Sequence, residues 1–325
     1  MNLKQVLLGD IDVSSERHDK FLFNYGRDLN EIVDSISKVG LINPVILTKY
    51  RGSDEKFNIV CGYQRVMAFQ KLGKKVIEAK VLEGPTDEGL FLLSLNDNLF
   101  SRVFNEIEKA IVAKKFLDIG YSYERLMSEI APLLGMPPNK KIVDKYLSLL
   151  NLDKEIKDSV ARNQLELENA FLLISLGNEE RKSVYVILFK ESSTNVNEAR
   201  DTIRNLLDLK RLEQKGIKEL LSSKEITNIL SDKKFNKRQK GEKIYKLIKS
   251  MRYPAISKKE EEFSESCKKL GIDNNVRITH SRFFEGNDIQ ITIKASEEKK
   301  LKIDLEKLLL NVKSGAFKRI FSIFR

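Results

Sequence analysis

Sixteen Lys or Arg stand against seven Asp or Glu between Asp208 and Glu260, densest at Lys233-Lys234-Phe235-Asn236-Lys237-Arg238-Gln239-Lys240. Such a run condenses on a polyanion and releases its counterions, the sequence-independent part of nucleic-acid binding; its plain alternative is a solvated face. The stretch carries nine of the eleven net positive charges of the 325-residue chain. A second cationic set, Lys140, Lys141 and Lys145, follows Gly135-Met136-Pro137-Pro138. It lies near the start of an expected helix, the end a recognition helix places against base edges and phosphates. Asn139, Lys140, Lys141 and Lys145, with Lys233, Lys234, Lys237 and Arg238, are therefore the candidate DNA-contacting residues. Other reactive types are sparse. Cys61 and Cys267 match no zinc spacing or disulfide framework, and His18 and His280 are too few for a histidine-built metal site. No paired-carboxylate cluster suited to a two-metal nuclease is legible. No catalytic residue is assigned.

The elements that must carry these residues follow from periodicity and punctuation. Val6-Leu7-Leu8, Pro44 to Leu47, Phe57 to Cys61 and Val76 to Leu82 read as strands, the last ending at Gly84-Pro85. Leu29, Ile32, Val33 and Ile36 fall at helical spacing before Gly40, and Arg65 to Leu72 forms a second short helix closed by Gly73. From about residue 105 the pattern is helical. Ile107, Ile111, Val112 and Phe116 mark one helix. Ser122 caps a second, with Leu126, Ile130 and Leu133 as its apolar face. Asn139 caps a third, bearing Ile142, Val143, Tyr146, Leu147, Leu149 and Leu150. Helix, Gly-containing turn, helix is the arrangement of a helix-turn-helix.

After the basic stretch, Tyr253-Pro254 breaks the chain. A helix (Lys258 to Leu270), two strands (Val276 to Thr279 and Ile289 to Ile293) and a helix (Glu297 to Val312) follow. Two strands and two helices make a poor independent core, and such a module is better explained as half of a dimer. Ile289, Ile291 and Ile293 share one strand face, and Leu301, Leu305, Leu308, Leu309 and Val312 are apolar at heptad-like spacing, which suits a helix paired with its copy; Ile289, Ile291, Ile293, Leu301, Leu305 and Leu308 are the six candidate dimerisation residues. In the tail, Phe317, Ile320, Phe321 and Phe324 share one helical face, which suits burial against the dimer or the middle domain better than a membrane surface. No apolar run approaches a membrane span, and the amino terminus lacks a signal-peptide core. A basic, cytoplasmic chain of two or three domains is expected.

Three separated pieces resemble one family. Gly40-Leu41-Ile42-Asn43-Pro44-Val45 is similar to the first signature of ParB, the plasmid and chromosome partition protein. Cys61-Gly62-Tyr63-Gln64-Arg65 resembles its second signature, and Asp97-Asn98-Leu99 through Asn105-Glu106-Ile107-Glu108-Lys109-Ala110 its third. Leu147 to Leu152 resembles the close of the family's recognition helix, and the terminal strand and helix pieces resemble its dimerisation domain. The resemblance implies CTP and Mg2+ as ligands, with nucleotide binding by Asn43, Pro44, Gly62, Tyr63, Gln64, Arg65, Asn98, Ser101 and Arg102 and metal binding by Asp97 and Asn98. In that role Gly62 permits close backbone approach to a phosphate, Arg65 offers a forked contact, and Asp97 and Asn98 offer hard oxygens. Asp97-Asn98 also reads as an ordinary helix-capping pair, and Cys61 as a buried core residue.

This sequence departs from the family pattern. The usual Gly-Glu-Arg-Arg is Gly62-Tyr63-Gln64-Arg65 here; Ser101 stands at the family's Arg position, with Arg102 just beyond; and Arg17-His18-Asp19-Lys20-Phe21-Leu22-Phe23 replaces the usual opening. The expected fold class is α+β: a ParB-like α/β domain (1–104), an all-α helix-turn-helix domain (105–207), a basic linker (208–253) and a small α-β-β-α dimerisation domain (254–325). The resemblance implies a homodimer on a palindromic site in double-stranded DNA, acting as a CTP-switched sliding clamp on the nucleoid with a ParA-type ATPase as partner, and at most slow CTP hydrolysis. Two rivals are a ParB-fold transcription regulator or nucleoid-occlusion factor without a nucleotide switch, and a phosphotransferase or nuclease-like enzyme of the same fold.

Overall fold

The computed structural model describes residues 2–13, 21–49, 56–84, 86–281 and 284–324. Arg17 to Lys20 of the opening segment and the strand-ending Pro85 lie outside the described residues. The chain divides into two compact units, residues 1–182 and 183–325. The first unit has a mixed α+β amino-terminal part and a helical remainder.

The amino-terminal part is a four-stranded sheet in the order β1 (Asn2–Leu7), β4 (Val76–Leu82), β2 (Val45–Lys49), β3 (Phe57–Cys61). In β4 Ile77, Ala79 and Val81 are buried while Glu78 and Lys80 between them are not, the period-two pattern of a sheet with one face packed. β1 runs antiparallel to β4 with Leu3 opposite Lys80, and β2 and β3 are also antiparallel with an irregularity between Ile46 and Leu47. β4 lies parallel to β2, Val45 opposite Ala79. A parallel pair needs a crossover helix, and α2 (Tyr63–Lys71) supplies it, burying Val66 and Ala68. α1 (Asn30–Val39) packs on α2 and ends at Gly40. The core between sheet and helices holds Val6, Leu8, Val45, Leu47, Ile59, Val66 and Ile77.

α3 (Asp87–Ser101), capped by Thr86, packs along β3. α4 (Glu106–Asp118) opens on a capping box in which Asn105 Oδ1 accepts from the Glu108 N–H and the Glu108 carboxylate accepts from the Asn105 N–H. Phe21 and Phe23 stack edgewise or tilted on Phe91, which meets Phe116, tying the segment before α1 to both helices.

Ser122 caps the next helix as expected, its Oγ accepting from the Arg125 N–H. That helix is irregular: an α turn, α5 (Tyr123–Arg125), widens into a π turn over Leu126–Ile130 and closes as a 3₁₀ turn over Pro132–Leu134. Pro132 has no N–H to give and its ring crowds the preceding turn, which favours a wider turn before it. The wider turn advances the buried face. Leu126 and Ile130 are buried as expected, but Leu134 faces inward and Leu133 is 47% exposed. Asn139 Oδ1 then caps α6 (Lys140–Leu149), whose Val143, Tyr146 and Leu149 are buried against α4 and α8 (Leu167–Ile174); α7 (Lys154–Ala161) packs on α4 as well. The following helix, α9 (Asn178–Tyr185), spans the division between the units.

In the second unit the stretch expected as a basic linker lies in helices: the end of α10 (Val196–Glu213), α11 (Ile217–Leu221), α12 (Lys224–Ser231) and α13 (Lys237–Arg252). Ile244 and Ile248, at helical spacing within the Lys-rich run, are buried, and that pattern was obscured by the surrounding charge. α13 packs on α10 and, at Gly241, lies tight against the segment just before α10, where an added Cβ would sit 2.1 Å from the Ser193 carbonyl oxygen. The carboxy-terminal module follows as α14 (Pro254–Lys269), the antiparallel hairpin β5 (Val276–His280) and β6 (Ile289–Ile293), α15 (Glu298–Lys313) and α16 (Phe317–Ser322). Its core gathers Phe263, Leu270, Val276, Leu308 and the tail residues Phe317, Ile320, Ile323 and Phe324. The tail face packs inside its own module and not against the middle domain or a dimer partner as expected, with Ile323 in the core in place of Phe321, which is 44% exposed.

Candidate functional site

A cleft of about 480 Å³ lies in the first unit between the segment before α1, the β3–α2 turn and the exposed side of α3. Of the residues expected to bind nucleotide or metal, Asn43, Gly62, Tyr63, Gln64, Arg65, Asp97, Asn98, Ser101 and Arg102 line it. Pro44, also expected there, is not among the lining residues; its carbonyl accepts from Arg65. Residues more than fifty positions apart thus meet because the β3–α2 turn and α3 flank one end of the sheet.

Gly62 is the hinge of that wall. It stands as the N-cap of α2 with φ 94° and ψ 26°, no side chain caps the helix, and the α2 amino terminus is directed toward the cleft lining. A Cβ there would lie 2.8 Å from Val45 Cγ1 and 2.9 Å from Arg65 Nε, so only glycine lets Arg65 fold back over the turn. Arg65 donates through Nη1 to the carbonyls of Asn43 (2.8 Å) and Pro44 (3.1 Å) and lies 3.4 Å through Nη2 from Asp97 Oδ2. The first and second family-like signatures are thus joined by one guanidinium. Burial pushes the Cys61 thiol up to about 12, with the neighbouring Asp97 charge adding to the effect, so Cys61 is a protonated core residue at neutral pH, not a nucleophile.

The far wall holds residues that sequence reasoning missed. Glu108 is fully buried yet ionised. Burial alone would raise its carboxyl, but the hydrogen bonds from Arg27 and the charge and hydrogen bonds of Arg102 hold it below the usual carboxylate range. Arg27 donates through Nε at 3.1 Å and Nη2 at 2.6 Å, and Arg102 through Nη1 at 2.5 Å. Arg102 is also tied to Asn98 Oδ1 (2.8 Å) and Asn24 Oδ1 (2.5 Å), and Asn98 Nδ2 donates to the Ser94 carbonyl (2.8 Å). Ser101 Oγ donates to the Asn98 carbonyl at 3.1 Å. The Asn105-x-x-Glu108 spacing is a local helix-start signal that was not used in reading the sequence; the partner Arg27, 81 residues earlier, has no local signal.

No cluster of three or more His, Cys, Asp or Glu able to hold a metal occurs among the described residues. Asp97 offers a carboxylate on the cleft wall, 39% exposed, whereas the Asn98 oxygen expected as a second ligand already accepts from a cation. That donor set fits Mg2+ only in the company of phosphate oxygens and water, the usual manner for this hard, reluctantly dehydrated ion.

On the helical part of the same unit, Asn139, Lys140, Lys141 and Lys145 are all exposed on the outer face of α6, opposite its buried Val143, Tyr146 and Leu149. Lys140 Nζ lies 4.9 Å from the Tyr123 ring centroid and Lys145 Nζ 5.2 Å from that of Phe171, which steers both without neutralising them. In the second unit Lys233 and Lys234 are exposed in the turn before α13. Lys237 donates to the Lys190 carbonyl at 2.7 Å. Arg238 makes a two-pronged pair with Glu198 and lies 3.1 Å from Glu242, so its charge is compensated within the unit and it is not a free phosphate contact.

The six dimerisation candidates separate. Leu301 and Leu305 are 37% and 50% exposed on α15, together with Leu309 at 52% and Val312 at 58%. Leu308 points the other way, into the module's core, because α15 docks through the Asp304–Leu308 face, where Asp304 accepts from Asn275. Ile291 is 41% exposed, while Ile289 and Ile293 pack against the core.

Residues 5–99 match the family described as the ParB N-terminal domain. Nucleoid occlusion proteins of Bacillus cereus and Bacillus anthracis are 26% identical over 194 residues, 60% of this chain and 64% of theirs. The match thus spans less than two thirds of the length of those relatives. Among solved structures, the C-terminally truncated chromosome-partitioning protein ParB of Caulobacter crescentus bound to the centromeric parS site aligns with TM-score 0.38 and 16% identity, over 62% of this chain and 98% of that one. The same truncated protein with CTP-γ-S aligns with TM-score 0.27 and 19% identity, over 56% and 98%. No helix among the described residues is long and apolar enough to cross a membrane.

Proposed function

We propose that this ParB-type chain, whose residues 5–99 belong to the ParB N-terminal domain family, is a DNA-binding partition or nucleoid-occlusion factor. In this reading it acts as a homodimer on the nucleoid, and its amino-terminal cleft takes CTP. The observation that carries the reading is the convergence of the Gly62 turn, Arg65 and Asp97 in a single cleft. The α2 amino terminus and Arg65 suit a polyphosphate, with Tyr63 and Gln64 on the same turn. Mg2+ would be held by Asp97 with the nucleotide's own phosphates, and its contribution would be to neutralise their charge.

DNA contact is assigned to the outer face of α6 through Asn139, Lys140, Lys141 and Lys145, with Lys233 and Lys234 adding sequence-independent affinity. Two-fold symmetry would place one α6 in each half of a palindromic site. The exposed stripe of Leu301, Leu305, Leu309 and Val312 is the proposed dimer contact, Leu309 taking the place of Leu308. A ParA-type ATPase partner follows from the family resemblance.

Isothermal titration of the purified protein with CTP, ATP and GTP in Mg2+, with and without DNA, tests the nucleotide assignment. CTP-selective binding that is lost in Arg65→Ala is expected. Absence of nucleotide binding under every condition would overturn it and leave the cleft a structural scaffold. A second reading, a DNA-binding regulator without a nucleotide switch, is favoured by one observation: Arg27, Arg65 and Arg102 already have partners.

A further inference from the structure

The carboxylate of Glu108 occupies the two guanidinium groups that an anion entering the cleft would seek. Besides Arg27 and Arg102 it accepts from the backbone N–H groups of Tyr25 (3.1 Å) and Asn105 (3.0 Å), and its side chain is fully buried. Both arginines line the cleft, yet both are held from behind by a residue of α4, the first helix of the helical region. Two cations facing one anion leave a surplus positive charge directed at the cavity. Arg27 is the more exposed of the two, 32% against 16% for Arg102; besides Glu108, Arg27 donates to the Val103 carbonyl (2.6 Å), whereas Arg102 is fixed by both Asn98 and Asn24.

We propose that Glu108 is the cleft's built-in counter-anion, competing with the phosphates of an incoming nucleotide for Arg27 and Arg102. This rests on the nucleotide reading of the cleft but concerns its regulation, and it holds for any polyphosphate. A carboxylate and a phosphate present the same paired oxygens to a guanidinium, and phosphate carries more charge. Occupancy of the cleft therefore draws Arg27, and to a smaller degree Arg102, away from the amino terminus of α4. α4 in turn packs against α6, the helix assigned to DNA. By linkage, whatever stabilises the closed Glu108–arginine cluster weakens polyphosphate binding by the same factor that polyphosphate weakens the cluster.

The test uses the full chain and two probes, inorganic tripolyphosphate and CTP, titrated calorimetrically into the natural protein, Glu108→Gln and Glu108→Gln/Arg27→Gln. Glu108→Gln keeps the shape and removes the competing charge. It is expected to bind tripolyphosphate at least tenfold more tightly, to lose that gain in the double variant, and to gain more thermal stability from tripolyphosphate than the natural protein does. A purely structural Glu108 predicts the opposite sign. Equal or weaker binding by folded Glu108→Gln overturns the proposal. Should that variant not fold, Glu108→Asp, which retracts the carboxylate from the guanidiniums, is expected to shift affinity in the same direction, and unchanged affinity overturns the proposal. CTP binding by the natural protein without tightening in the variant defeats this inference alone. Tighter tripolyphosphate binding in the variant, with no CTP binding by any form, defeats the nucleotide reading and leaves the inference standing.

Discussion

At the scale of single residues, the Glu108 cluster makes a prediction about acid. The folded-state carboxyl lies below its ordinary value of 4.5, so the cluster's contribution is fully present above the ordinary carboxylate range and is lost as pH falls through the lower folded value. The first unit should therefore weaken progressively below about pH 4.5, more steeply than in Glu108→Gln, and urea titrations at several pH values would show it. If the two forms have the same acid slope, Glu108 is not the group responsible. Gly62 makes a second claim. Gly62→Ala must place a side chain at positive φ against Val45 and Arg65, and a loss of about 1–3 kcal/mol in denaturant unfolding is expected. A variant as stable as the natural protein would mean that the β3–α2 turn relaxes freely.

At the scale of elements, α6 and the contact of α13 with the segment before α10 can each be probed by substitution. Replacing Lys140, Lys141 and Lys145 by Ala should weaken DNA binding across sequences and lower the slope of log affinity against log salt by about 0.9 for each phosphate contact removed, measured by fluorescence anisotropy. An unchanged slope would move the DNA face elsewhere. Gly241→Ala forces a Cβ onto the Ser193 carbonyl backbone, which cannot rotate away, and should destabilise the second unit by roughly 2–4 kcal/mol in thermal unfolding. Elements of this kind were legible where a local rule governs them. The strand Val76–Leu82 before Gly84-Pro85 and the Ser122 and Asn139 caps all declare themselves within a few residues. What was illegible depends on the opposing surface. Leu133 lost its place to Leu134 because a π turn shifts phase, Leu308 turned inward because α15 docks through that face, and Arg238 left the DNA set because Glu198, forty residues away, claims it. The cleft was half readable in the same sense: its Gly62, Arg65 and Asp97 side lies on recognisable signatures, while Arg27 comes from a short segment with no pattern of its own.

At the scale of the whole molecule, the dimer assignment is open to a direct measurement. A paired Leu305→Asp and Leu309→Asp substitution lies on the exposed stripe of α15, away from the core that Leu308 and Phe317 share, and should yield a monomer with unchanged helix content in sedimentation. A dimer that persists would place the contact on another surface. The sheet of the first unit has a further consequence, in time and not in space. Among the described residues β1 pairs with Val76–Leu82 alone, so during synthesis it is without its hydrogen-bonding partner until some seventy more residues have followed, and β2 gains its parallel neighbour at the same moment. Closing such long loops is slow compared with forming the helices downstream, whose contacts are largely local. β1 is then the strand whose docking completes the sheet, and a bulky fusion at the amino terminus should delay maturation of the cleft far more than one at the carboxy terminus, although both would leave the final fold the same.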